Sequence, residues 1–75
     1  MGDSMREMVE VKRLVFLWFL QWYTDNVGKL SREPNTISDR INYKNQSGKL
    51  VGYKSMYYVE TFHIDKDYYE LMIKA

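Results

Sequence analysis

Val15-Phe16-Leu17-Trp18-Phe19-Leu20-Gln21-Trp22-Tyr23 is the stretch on which the fold turns, because only Gln21 in it is polar. Turned by about 100° per residue, a helix through it sets Met8, Val11, Val15, Trp18, Phe19 and Trp22 on one side. Val9, Phe16, Leu20 and Tyr23 continue round from there. The apolar arc is then roughly 200° wide, against the ~100° that packs an ordinary surface helix onto a core. The polar remainder holds Arg6, Glu7, Glu10, Arg13, Gln21, Thr24 and Asp25, and Leu14 and Leu17 interrupt even that. Such an arc must be covered by a second layer of the chain or by a partner.

Upstream, Ser4 followed by Glu7 has the spacing of a capping box, in which serine and glutamate each satisfy an orphan backbone N–H. Downstream, Gly28 suits the left-handed residue that commonly ends a helix. The signals predict one helix over residues 4–27, whose ~22 helical residues at 1.5 Å each make it roughly 33 Å long. A membrane span needs about 20 apolar residues, and Lys12 and Arg13 before the run and Gln21, Thr24 and Asp25 within or after it leave too few. Neither a secretory leader nor a myristoylation signal is legible at the start. With no cysteine in 75 residues, the expected setting is the cytoplasm.

Pro34 disfavours helix at Glu33, so residues 28–35 read as a loop. The period then changes to two. Ile37, Asp39, Ile41 and Tyr43 alternate with Ser38, Arg40 and Asn42, and Asn45-Gln46-Ser47-Gly48 supplies a turn before Lys49-Leu50-Val51. Pairing Lys44 with Lys49 sets Ile37 against Met56, Asp39 against Lys54, Tyr43 against Leu50 and Arg40 against Tyr53. Residues 56–64 are rich in aromatic and β-branched types and continue the sheet. Asp65-Lys66-Asp67 turns it into a third strand over residues 68–74, or Asp65 caps a short helix there instead.

The expected fold is α+β: one domain over residues 1–75, its long N-terminal amphipathic helix packed on an antiparallel meander of two or three strands within residues 36–75. The minority alternative is a truncated winged helix, with Thr36 and Asp39 capping a helix through Ile41 and Tyr43.

The net charge of +1 conceals a basic ribbon. Lys29, Arg32, Arg40, Lys44, Lys49 and Lys54 stand against only Glu33 and Asp39. Arg40, Lys44, Lys49, Tyr53, Lys54 and Tyr57 are therefore the candidate nucleic-acid residues, cations for phosphates and rings for unpaired bases. Lysines at hairpin tips equally serve to discourage strand aggregation. Catalysis finds little to work with. His63 is the lone histidine, Asp65, Asp67 and Glu70 lack the glycine of a calcium loop, and the four glycines form no phosphate cradle. Asn45-Gln46-Ser47 matches a glycosylation sequon but reads as a turn.

No enzyme activity, metal, cofactor, small-molecule substrate or membrane partner is expected. The expected function is that of a small binding protein acting by surface association, as a homodimer, a regulatory adaptor or an inhibitor of a larger complex. Val15, Trp18, Phe19, Trp22 and Tyr23 are its candidate contact residues, since Trp and Tyr are favoured interface anchors. Nucleic-acid binding through the basic hairpin is the alternative.

Overall fold

The aromatic run is helical, but the residues before it are not. In a computed structural model that describes residues 7–75, Met8–Val11 form strand β1 and helix α1 spans only Arg13–Asn26. Strands β2 (Ser31–Asn35), β3 (Arg40–Lys44), β4 (Leu50–Ser55) and β5 (Thr61–Asp65) follow, and helix α2 (Lys66–Lys74) ends the chain. The five strands form one antiparallel sheet in the order β1-β5-β4-β3-β2. This replaces the long helix on two or three strands expected from the sequence. Residues 36–39 form a turn and Arg40–Lys44 a strand, so the winged-helix alternative fails as well.

Met8-Val9-Glu10-Val11 satisfies a period of two as well as a helical period, and the ladder with β5 decides between them. Val9 pairs with Ile64 and Val11 with Phe62 on one face, while Glu10 pairs with His63 on the other. Lys12 remains extended (φ −80°, ψ 162°) and accepts the first helical bond, from the Phe16 N–H, at 3.0 Å. The proposed capping serine, Ser4, lies outside the described residues. Glu7 instead continues the β1–β5 pairing. Its carbonyl accepts the Lys66 N–H at 3.0 Å, and its carboxylate meets Lys66 Nζ at 3.0 Å.

Because β1 and β2 are opposite edges, the connection between them must cross the sheet, whose five strands at ~4.8 Å spacing are roughly 19 Å wide. The 14 residues of α1 supply about 21 Å. Phe16, Phe19 and Tyr23 face the sheet and are buried with Val51, Phe62, Ile64 and Met72. The Phe16 ring meets Tyr43 edge-on at 5.4 Å and Phe62 at 5.2 Å. Gly52 leaves room for it: a Cβ there would stand 3.4 Å from Phe16 Cε1 and 3.1 Å from the His63 carbonyl.

β2 differs from expectation, as do residues 56–60, which form a loop before β5 instead of strand, and the last segment takes the second of its two expected forms. β2 carries Pro34 because it is an edge strand, where a missing N–H removes no interior ladder bond. The last segment is a helix, because the Asp65 carboxylate accepts the N–H groups of Asp67 at 2.9 Å and Tyr68 at 3.3 Å. Met72 is buried beneath it, with Tyr68 and Tyr69 packed alongside. The Tyr68 ring meets Tyr23 at 5.1 Å.

The β3–β4 hairpin is present with its turn at residues 45–48. Asn45 Oδ1 accepts the N–H groups of Ser47 and Lys49, and Gly48 takes a positive φ of 85°. Its register is two residues from the expected one, with Arg40 opposite Ser55 and Tyr43 opposite Gly52. A shift of two preserves the faces. A bulge then brings Lys44 opposite Leu50, leaving Val51 as the extra residue that joins the core.

Candidate functional site

The core takes one side of α1 and leaves the other. Of the residues proposed for contact, Phe19 and Tyr23 are buried, and Val15 and Trp22 pack partly buried against the core. Burial raises the pKa of the Tyr23 hydroxyl, which keeps it protonated beside Asn45 and Tyr68. Trp18 alone of the five stands half in solvent, at 51% exposure, flanked by Leu14 and Leu17. These three occupy positions i, i+3 and i+4, one outward strip on the helix.

Chain reversals concentrate further apolar residues at one end of the sheet. β1 and β4 end there, β3 and β5 begin there, and the turn between β2 and β3 lies beside the β4–β5 connection. The Met56 N–H donates to the Asp39 carbonyl across that junction at 2.9 Å. Ile37, at 96% exposure, caps one turn, and Tyr57, Tyr58 and Val59 cap the other. Each cap is built on a held base. Asn35 Oδ1 accepts from the N–H groups of Ile37 and Ser38, and Asp39 closes the turn at φ 51°. On the second loop, the Glu60 carboxylate bridges Lys54 at 3.1 Å and Arg13. The Lys54 hydrogen bond, reinforced by Arg13, holds the Glu60 carboxyl below its ordinary range. Behind this bridge, Arg13, Phe16, Leu17, Tyr43, Lys54 and Phe62 line a hollow of about 120 Å³.

The sheet face away from the helices carries a transverse row, Glu10-His63-Tyr53-Asn42-Glu33, one residue from each strand. Tyr53 stacks on His63 at 4.6 Å and 15°, and the Arg40 guanidinium lies 3.8 Å over the same tyrosine ring. Arg40 Nε, Asn42 Oδ1 and His63 Nδ1 are buried without a hydrogen-bond partner among the described residues.

The proposed nucleic-acid set is divided. Arg40, Lys44 and Tyr53 share this open face, with Lys44 paired to Glu33 at 3.2 Å. Lys54 lies on the helix side, 5.9 Å from the Phe62 ring, and Lys49 sits 4.8 Å from the Tyr68 ring of α2. Tyr57 is on the loop, its ring 4.3 Å from that of Tyr58. With a cation over one side of Tyr53 and an imidazole against the other, the ring offers no free face for a base.

Comparison with protein families, with curated proteins and with solved structures finds no match. Among the described residues no group of three or more His, Cys, Asp or Glu is placed to hold a metal ion, and no helix is long and apolar enough to cross a membrane. Sequence reasoning set Leu14 and Leu17 on the polar side of the helix without giving them a role, and missed Ile37, Tyr58 and Val59 as surface features. The usable signal was Met56-Tyr57-Tyr58-Val59, an unbroken apolar run that does not alternate as a half-buried strand should.

Proposed function

We propose that this chain is a non-enzymatic binding module of the cytoplasm that acts by surface association, anchored on the outward strip Leu14, Leu17 and Trp18, with a second copy of the chain as its partner. The observation that carries this is the division of α1. Phe16, Phe19 and Tyr23 are the α1 residues buried in the core, while three large apolar side chains on the opposite side stay half or more exposed among the described residues. Contiguous exposed apolar surface on small proteins marks contact sites, and a half-exposed tryptophan is the residue type that most often anchors one. A strip at helical spacing on each copy allows two α1 helices to pack ridges into grooves.

The nucleic-acid alternative draws less support from the geometry, because Lys44, Lys49 and Lys54 are already engaged and lie on different sides of the sheet. Solution mass measured by light scattering across a concentration series tests the proposal. A dimer of the wild-type chain that becomes monomeric in Trp18→Ala, with an unchanged far-ultraviolet circular dichroism spectrum, is the expected result. A strict monomer at every concentration rejects self-association.

A further inference from the structure

Hairpin tips are ordinarily built from glycine, asparagine, aspartate, serine and proline, which suit tight reversals and water. Here the two adjacent tips present Ile37 at 96%, Tyr58 at 85%, Val59 at 70% and Tyr57 at 67% exposure. The Tyr57 and Tyr58 rings meet edge-on at 4.3 Å, and among the described residues none of the four side chains joins the core. The turns themselves depend on other atoms. Asn35 Oδ1 and the Asp39 carbonyl hold the first, and the Glu60 bridge to Lys54 and Arg13 holds the second. The same end of the sheet carries Lys12, Arg13, Arg40 and Lys54 against Asp39 and Glu60. Arg13 and Lys54 pair with Glu60 and Arg40 lies over Tyr53, which leaves a net excess of two positive charges.

We propose that this end of the sheet docks peripherally on an anionic lipid bilayer, with Ile37, Tyr57, Tyr58 and Val59 entering the boundary between headgroups and acyl chains and the net positive charge behind them, with Lys12 foremost, facing the lipid phosphates. The chemistry of the tips fits that boundary, because tyrosine sets an apolar ring in the acyl region and keeps its hydroxyl at the headgroups. The shape fits too. Two separate protruding tips would require a rigid partner to supply a matching pit for each, whereas a fluid interface closes around both. The cations lie behind the apolar tips, the order in which a bilayer presents its own phosphates and acyl chains to an approaching protein. This docking needs no membrane span and uses residues other than the Leu14-Leu17-Trp18 strip.

The test is flotation of the full chain with unilamellar vesicles of phosphatidylcholine alone and of phosphatidylcholine mixed with phosphatidylserine. Each cation near an anionic surface contributes about 1 kcal/mol, so an excess of two predicts a preference of tenfold or more for the mixed vesicles. The double variant Ile37→Ser, Tyr58→Ser should lose partitioning tenfold or more on the mixed vesicles, with its circular dichroism and melting unchanged because both side chains are exposed. Lys12→Glu should reduce the preference for the mixed vesicles and leave the weaker binding to phosphatidylcholine as it is. Three outcomes overturn the proposal: a wild-type chain that stays in the aqueous phase with both vesicles, equal binding to the two compositions, or undiminished binding by the double variant. The first would assign the tips to a protein receptor.

Discussion

Phe19 and Trp18 are neighbours in sequence on opposite sides of α1, and truncating each to alanine separates the two surfaces energetically. Phe19 is fully buried, with the Trp22 and Tyr23 rings at 6.2 and 5.8 Å. Removing a buried phenylalanine side chain costs about 3–5 kcal/mol, the lost transfer energy plus the cavity left behind. A chain of 75 residues holds roughly 4–11 kcal/mol of stability in all. Phe19→Ala therefore removes much of what holds the monomer together. Trp18 keeps half its surface in water. Its truncation uncovers on the order of 100 Å² of apolar contact, about 1–2 kcal/mol after allowance for a partly collapsed unfolded chain.

The two costs differ by about 1–4 kcal/mol, and with a shift of about 4–8 °C per kcal/mol for a domain of this size, Trp18→Ala should melt roughly 4–30 °C above Phe19→Ala. The assay is thermal unfolding followed by far-ultraviolet circular dichroism on dilute protein, so that association does not add to the apparent stability of the wild type. Equal midpoints for the two variants, or a lower one for Trp18→Ala, would refute the division of α1 into a core side and a surface side.

Three further perturbations read other parts of the structure. Gly52→Ala sets a Cβ 3.1 Å from the His63 carbonyl and 3.4 Å from Phe16, and should lose about 1–3 kcal/mol to overpacking against an entropic gain of about 0.4–1 kcal/mol. A urea midpoint at or above the wild type would contradict the close approach. Asp65→Ala removes the acceptor of two α2 N–H groups and should cost about 0.5–2 kcal/mol, read as earlier urea unfolding. Glu60 has a folded pKa below its ordinary 4.5, so its charge favours the folded state above that value and the benefit disappears as the pH falls through the lowered pKa. Glu60→Gln should therefore melt below the wild type at neutral pH, and the gap should close in acid. A gap that is constant with pH would remove the charge from the explanation.

The parts of the fold legible in the sequence were those specified by local chemistry. Asn45 and Gly48 specify their turn by side-chain hydrogen bonding and a positive φ, so the β3–β4 hairpin was recognisable before its register was. The end of α1 was legible in its place but not in its mechanism: the N–H groups of Val27 and Gly28 both close on the Tyr23 carbonyl, and Gly28 does not take the left-handed conformation expected of it. The bulge at Val51 was not, because nothing local distinguishes that residue from an ordinary strand position. Non-local pairing set the rest. Met8-Val9-Glu10-Val11 could enter a helix or a strand until β5 supplied Phe62 and Ile64 as partners. Pro34 suggested a loop because sequence alone does not show which strand lies at an edge.

The candidate surfaces followed the same rule. Once the first helical turns became β1, the wide apolar arc resolved into a core side and the strip Leu14, Leu17 and Trp18. The row Glu10-His63-Tyr53-Asn42-Glu33 draws one residue from each of five strands, so only the topology assembles it.

The most direct test of the central claim is acrylamide quenching of Trp18 emission across a dilution series, in a Trp22→Phe background so that one indole reports. If two copies meet on the outward strip of α1, Trp18 is readily quenched in dilute protein and becomes protected as concentration rises, in step with a doubling of the 9.1 kDa solution mass. Quenching that is equally strong at every concentration would place Trp18 outside any interface and contradict the account.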